Sequence, residues 1–424
     1  MYPNPQDALP LPPRPDVAHY RKRAKDLARA CRSGDSAIQS WATRWVDALL
    51  ELHPEGRQLS RREAERRARQ IAGFARDRLT PTGCALSQAQ FVVARAHGFL
   101  SWPKLVCHIE GLSAAESDVS AFERAANAIT SGNLAALDRL LAAHPGLVHA
   151  RSGREHHATL LHYVSANGVE NYRQKAPANI VAIARRLLDA GSYVDAEADV
   201  YGGGCTTLGL VVTSTPPREV GVQIALADLL LDRGARIDAG IVRSCLMNGC
   251  PEAAAHMAAR GATVNLEETA GIGRLDVVAQ YFDAARTLPE ADAASALIMA
   301  SWYDHQGVVN FLLDHGVDPG ARAPKEGHTA LHVAAYRGNP EIVRLLLKRH
   351  APVNVTDVVY GTPPLVWALH AWLVDDRTNE DGYRSVLRML AEAGADVKRE
   401  WLEDDRLRAD RNLYAALSAR VTAT

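Results

Sequence analysis

No stretch of this chain reaches the ~18 consecutive apolar residues of a membrane-crossing helix, so a spanning segment is not expected. The opening MYPNPQDALPLPPRPD lacks the apolar core of a secretory leader. Cysteine is sparse: six residues, at 31, 84, 107, 205, 245 and 250, with no C-x-x-C pair and no dense framework. That pattern leads us to expect reduced thiols and a cytoplasmic setting. Charge of one sign is also missing. A net charge of −1 over 424 residues excludes a global attraction to nucleic acid or to an anionic bilayer. One local excess remains: residues 14–78 carry 16 Lys and Arg against 9 Asp and Glu.

Hydrophobic residues make up 47% of the chain. A single core rarely grows past ~250–300 residues, so this length implies two domains or a repetitive array. The stretch Gly327 to Asn354, GHTALHVAAYRGNPEIVRLLLKRHAPVN, decides for the array. Thr329, Ala330, Leu331 and His332 open a short helix that Ala334 and Ala335 keep slim, and Gly338-Asn339 break it. Ile342, Val343, Leu345, Leu346 and Leu347 then form a second apolar stripe at helical spacing. Ala351, Val353 and Asn354 lead into a turn. This helix–turn–helix–turn unit resembles an ankyrin repeat, with Thr-Ala-Leu-His-Val-Ala standing where that family has T-P-L-H-x-A. One such unit cannot bury its apolar face alone, so neighbours are implied on both sides.

Degraded copies are found by the small turns that end the second helices: Gly191-Ser192, Gly234-Ala235, Gly261-Ala262, Gly316-Val317, His350-Ala351 and Gly394-Ala395. The 55-residue gap between Gly261 and Gly316 hides a degenerate unit near GRLDVVAQYF. The expectation is an all-α chain: an ankyrin-repeat solenoid of about eight irregular repeats over 120–400, with a capping segment at 401–424. Residues 1–15, with six prolines, predict a flexible or extended arm. Residues 16–115 predict a helical domain, with capping-box spacing at Ser60–Glu63 and Ser87–Gln90 and a helix start at Ser101-Trp102-Pro103. Ser120–Glu123 has the same spacing at the first repeat. The segment LSQAQFVVARAHGFLSWPKLVCHIEGL resembles a helical module that precedes ankyrin repeats in other bacterial proteins. Trp102 and Leu105 are expected in a core that packs against the first repeat near Phe122.

Three repeats carry extra residues between their helices: VENYRQKAPAN in the second, TPPREVG in the third and LVDDRTNEDG in the eighth. An ordinary repeat needs only a tight turn there, and loops on a rigid array are where function concentrates. The second and third repeats also hold the densest set of polar and aromatic residues. Asn167, Tyr172, Arg173, Gln174, Lys175, Tyr201, Gly202, Gly203, Gly204, Thr206 and Thr207 are the candidate binding residues of a polar groove. The triple glycine permits close backbone approach to a ligand. If the groove were catalytic, Glu170 would be the base and His162 and Tyr163 the proton donors. Exposed loop ion pairs are worth ~0–1 kcal/mol. On that reading Arg173→Ala and Tyr201→Phe lower affinity and barely shift melting.

Other polar features have plainer readings. His332 is structural on the resemblance, which implies hydrogen bonding between neighbouring turns. His328 and His332 lack a third ligand, and His156, His157 and His162 fit no metal motif, so neither metal nor cofactor is expected. The run RREAERRAR at 61–69 reads as a solvated helix face, and Asp404, Asp405 and the 375–381 loop read as solvated charge. The favoured function is recognition of a protein or peptide along the concave face of the repeats. The runner-up is an enzyme using the groove of repeats two and three as a small-molecule pocket. Nucleic-acid binding through the arginine-rich helices is the third and least supported reading.

Overall fold

The computed structural model describes residues 4–12, 14–51, 61–79, 83–114, 117–284, 288–375 and 378–421. Among the described residues the chain is all-α apart from one two-residue ladder and three isolated bridges, and it divides into two compact units, Met1–Asp238 and Ala239–Thr424. Among the described residues no helix is long and apolar enough to cross a membrane.

The first unit opens with α1 (Val17–Ser33), α2 (Asp35–Glu51), α3 (Arg61–Arg78), α4 (Leu86–Ala96) and α5 (Trp102–Ser113). Asp16 caps α1 by accepting from the Ala18 amide, and Gly34, at φ 101°, ends it. Tyr20, Ala24, Leu27, Ala28 and Cys31 recur at helical spacing and bury one face of α1 against Trp41, Trp45 and Val46 of α2. Leu105 is fully buried in this core and Trp102 packs at its edge. α5 then lies against the first repeat helix so closely that a Cβ on Gly111 would stand 2.9 Å from the Val119 side chain.

Several cap assignments differ from the sequence reading. α4 starts at Leu86 with Ala85 before it, so Ser87–Gln90 is not a capping box. The first repeat helix is capped by Ser117, which accepts from the Ser120 amide, leaving Ser120 and Glu123 inside the helix with both side chains buried. Ser60 lies outside the described residues. Ser101 does precede α5, with proline in its first turn. In the arginine run, Arg61, Arg62, Arg66 and Arg69 are exposed, but Arg67 is buried and donates to the Gln6 carbonyl at 3.2 Å.

That last contact corrects the expectation of a free arm. Pro5–Asp7 form a 3-10 turn, and Ala8 and Leu9 are buried. The Leu9 amide donates to the Ala96 carbonyl at 2.8 Å, and the His97 Nδ1 lies 3.0 Å from the Leu9 carbonyl. Proline content alone read as extension. The two apolar residues between the prolines dock the segment.

The cysteine expectation also changes. Cys31 of α1 is bridged to Cys84, 53 residues on, just before α4. Spacing that long carries no local signal. Closing such a loop restricts the unfolded chain, and reduction, or Cys84→Ser, is expected to lower stability by about 2–4 kcal/mol in urea denaturation. An unchanged midpoint after verified reduction would refute this.

Among the described residues eight helix pairs follow, in line with the expectation of about eight. In the first unit these are α6 (Asp118–Thr130) with α7 (Leu134–Ala143), a 3-10 helix Leu160–Ser165 with α8 (Ile180–Asp189), and α9 (Thr207–Val212) with α11 (Gln223–Asp232). The short α10 (Thr215–Glu219) occupies the insertion of the third repeat. β1 (Glu197–Ala198) and β2 (Cys205–Thr206) pair antiparallel before α9. The second unit holds α12 (Ile241–Met247) with α13 (Pro251–Ala259), α14 (Leu266–Gly271) with α15 (Leu275–Ala284), and α16 (Glu290–Trp302) with α17 (Gln306–Asp314). α18 (Ala330–Tyr336) with α19 (Pro340–Lys348), and α20 (Pro364–Leu373) with α21 (Glu380–Glu392), complete the pairs. α22 (Asp405–Ala409) and α23 (Arg411–Ser418) close that unit, burying Leu407, Leu413 and Leu417 in its core.

Candidate functional site

The second repeat begins with Thr159-Leu160-Leu161-His162, the same Thr and His spacing as Thr329 to His332. The geometry is the same in both. The His162 Nδ1 accepts from the Thr159 amide at 3.1 Å and lies 2.8 Å from its hydroxyl. The corresponding distances at Thr329 and His332 are both 3.0 Å. Burial pushes each imidazole down to about 4, so both rings are neutral at pH 7. His162 is therefore a cap-forming repeat histidine, not a proton donor in a groove. The T-x-L-H spacing was the available signal for it.

The other candidate residues of this repeat come together, but inside the protein. The insertion after Ser165 folds back as a turn, Asn171–Arg173, and drives Glu170 and Arg173 inward. Glu170 is 0% exposed, Tyr163 0% and Arg173 3%. Two residues outside the predicted site complete the cluster: Arg154, from the loop before the second repeat, and Glu123, from α6, which the sequence reading took only as a capping residue. The Arg154 Nη1 lies 2.7 Å from Oε1 of both Glu123 and Glu170. The Arg173 Nη2 lies 2.6 Å from Glu123 Oε2, and its Nη1 lies 3.4 Å from Glu170 Oε1. Asn127 Oδ1 accepts from Arg173 at 2.7 and 2.9 Å. Tyr172, half-buried, accepts from Arg154 at 3.2 Å. His108 of α5 and His156 stand 3.6 Å from Glu123 and Glu170 respectively.

Two guanidiniums and two carboxylates thus compensate one another away from water. Burial alone would raise both glutamates. The attraction of Arg154, then Arg173, outweighs it and holds Glu123 at about 2 and Glu170 well below the usual carboxylate range. A carboxylate held ionised so firmly is a poor general base. Tyr163, whose hydroxyl is 3.5 Å from Glu170, is pushed well above its ordinary value, mainly by burial. The arrangement joins elements: Glu123 belongs to the first repeat, Arg154 to the loop after it, Glu170 and Arg173 to the second repeat, and His108 to the N-terminal helices. Glu170 Oε2 and Arg154 Nε find no hydrogen-bond partner among the described residues, so the cluster is not fully satisfied.

The remaining candidates also serve mostly within the fold. Asn167 donates to Thr213 at 3.2 Å, and Gln174 to the Val169 carbonyl at 2.9 Å. Thr206 caps α9 and donates to Asp238, and Thr207 is fully buried. Lys175, Tyr201, Gly202, Gly203 and Gly204 are exposed. The glycines turn the chain between β1 and β2 at positive φ, next to Tyr201 at φ 52°. The Tyr201 hydroxyl lies 2.8 Å from Asn167 Oδ1 and 3.0 Å from Gln6 Oε1, tying the hairpin to the docked N-terminal turn. Of the residues expected in a groove of repeats two and three, Tyr163, Glu170, Arg173, Thr206 and Thr207 are thus buried within the fold, and Lys175, Tyr201 and the three glycines are exposed.

An open aromatic stripe lies instead on the later first helices. Trp302 ends α16 and Tyr336 ends α18, 34 residues on; His370, a further 34 along, holds the matching place in α20. Trp302 and Tyr336 stack with centroids 5.8 Å apart, and Tyr336 meets Trp367 edge-on at 6.0 Å. All three are half-buried, with their inner edges on the core. The Tyr336 hydroxyl donates to Asp375 at 2.7 Å, and the His370 Nε2 is 3.6 Å from the same carboxylate. The Arg337 guanidinium sits over the Trp302 ring at 5.7 Å. Sequence reading missed this stripe because its members are single residues, one per repeat.

Residues 297–400 match the family model for ankyrin repeats, in three copies. The chain is 35% identical over 98 residues to the E3 ubiquitin-protein ligase KEG of Arabidopsis thaliana, an alignment covering 23% of this chain and 5% of that protein. It is 44% identical over 63 residues to Protein PhlB of Serratia liquefaciens, covering 15% and 27% respectively. The chain therefore spans only a small part of the length of either relative.

Proposed function

We propose that this chain is a recognition scaffold that binds a protein or peptide segment across the first-helix face of its ankyrin repeats over 297–400. The observation that carries this reading is the stripe Trp302, Tyr336 and His370, one residue per repeat, flanked by Trp367. Half-buried aromatics offer large contact area at low entropic cost, because packing already fixes their rotamers. Their polar tips, with Arg337 and Asp375, supply direction. The buried charges of Glu123, Arg154, Glu170 and Arg173 hold the first and second repeats in register and make no partner contact. The Cys31–Cys84 bridge favours an oxidising compartment over the cytoplasmic setting that cysteine spacing implied.

Peptides selected from a random displayed library against the full chain provide the test. Trp302→Ala and Tyr336→Ala are each expected to weaken the selected peptides by about 2 kcal/mol, the size of an interface hot spot. Tyr201→Phe, remote in sequence and bonded within its own unit, is expected to leave affinity unchanged. Peptides that bind both stripe variants as tightly as the parent would refute the assignment.

A further inference from the structure

Outside the repeats, the first two helices enclose a polar cleft of about 590 Å³. α1 contributes Arg23, Asp26, Arg29 and Ser33, and α2 contributes Trp41 and Arg44, among others. Three guanidiniums therefore face one carboxylate. Asp26 is taken by Arg29 at 3.1 Å. Among the described residues no carboxylate comes within ion-pair distance of Arg23 or Arg44, and the two repel each other across the cleft. Asp26 offsets part of that repulsion at Arg23, and the remaining excess of positive charge costs free energy that a bound anion removes.

The site is also organised. Arg23 is half-buried, with its guanidinium 5.6 Å over the fully buried Trp45 ring, so its direction is set by packing. Trp41, 3% exposed, lines the cleft. Ser33 and Ser40 place hydroxyls at the exposed rim. Planar guanidiniums match phosphate oxygens two at a time, which a lysine-lined cleft would not do. The volume exceeds what an inorganic phosphate fills.

We propose that the α1–α2 cleft binds a small phosphate-bearing molecule, with Arg23 and Arg44 holding the phosphate and Asp26 orienting Arg29 at the rim. This site is independent of the peptide-binding face, so either assignment can fail without the other.

Calorimetric titration of the full chain with inorganic phosphate, pyrophosphate and ATP separates the sources. Binding of phosphate or pyrophosphate as tight as that of ATP assigns the site to free phosphates. Tighter binding of ATP by tenfold or more assigns it to a phosphorylated organic molecule. Either way Arg44→Gln, at an exposed position with no internal partner to lose, is expected to weaken binding at least tenfold, and Arg23→Gln likewise. Arg21→Gln, exposed on α1 outside the cleft, is expected to leave it unchanged. Failure of all three ligands to bind at millimolar concentration, or binding undiminished in Arg44→Gln, overturns the proposal.

Discussion

Arg154→Ala is expected to destabilise the first unit by about 3–5 kcal/mol, because removing one member of a buried ion cluster leaves the others uncompensated. Glu123 and Glu170 would then share Arg173 alone, at 2.6 and 3.4 Å. Arg173→Ala should cost a comparable amount, for the same reason. This reverses the expectation drawn for an exposed loop pair. The midpoint of urea denaturation, followed by helicity and by protease resistance of residues 1–238, measures it. Replacement of all four charges by apolar residues of similar volume is expected to recover most of the loss, since charge removed in balance carries no desolvation cost. A shift below about 1 kcal/mol for Arg154→Ala, the range of exposed pairs, would mean that water reaches the cluster.

The same burial fixes the direction of the pH dependence. Burial pushes His108 and His162 down to about 4 and His97 to about 3. Their folded values lie below the unfolded 6.5, so the neutral form is preferred in the fold. The stability they contribute is present above pH 6.5 and is lost as pH falls through 4 to 3. Glu123, depressed from 4.5 to about 2, adds a second loss below pH 4.5. The first unit should therefore weaken steadily from pH 6.5 downward. A denaturation midpoint that stays flat between pH 7 and pH 4 would contradict the neutral, sealed state of these rings.

The repeat count was legible because each unit repeats a local pattern: an apolar stripe at helical spacing, then a turn residue with positive φ. Gly394 takes that conformation at φ 97°, and His350 takes it at φ 61° without being glycine, so the pattern tolerated substitution. The degenerate unit around Gly273 followed from the 55-residue gap between Gly261 and Gly316, and α15 occupies it. What the sequence hid was long-range. Glu123 and Arg154 are 31 residues apart, and nothing in either neighbourhood announces an ion pair. Polar density around Glu170 read as a surface groove because composition does not report which way a loop folds. Its insertion turned inward, and the charges became core. The aromatic stripe was hidden for the opposite reason: residues one repeat apart meet only once the repeats stack.

A fragment of residues 120–424 is expected to lose the fold of its first repeats while the second unit keeps its own core. α5 packs on α6 at Gly111 and Val119, and its His108 stands 3.6 Å from Glu123. The charge cluster is sealed from the same side. Phe99 lies under the Arg154 guanidinium at 5.4 Å, Ala8 packs at Gly98 beside it, and Arg95 pairs with Glu155 at 2.7 Å. Deleting these residues opens a buried set of charges to water and uncovers an apolar helix face at once. Terminal repeats need a cover of this kind. Hydrogen exchange should show residues 120–238 unprotected in the fragment and protected in the full chain, with protection of 239–424 similar in both. Gly111→Val tests the same interface without truncation. Its added methyls meet Val119 at the α5–α6 contact, and overpacking of this kind costs about 1–3 kcal/mol. A monomeric fragment with first-repeat protection equal to that of the full chain would show instead that the repeats supply their own cap.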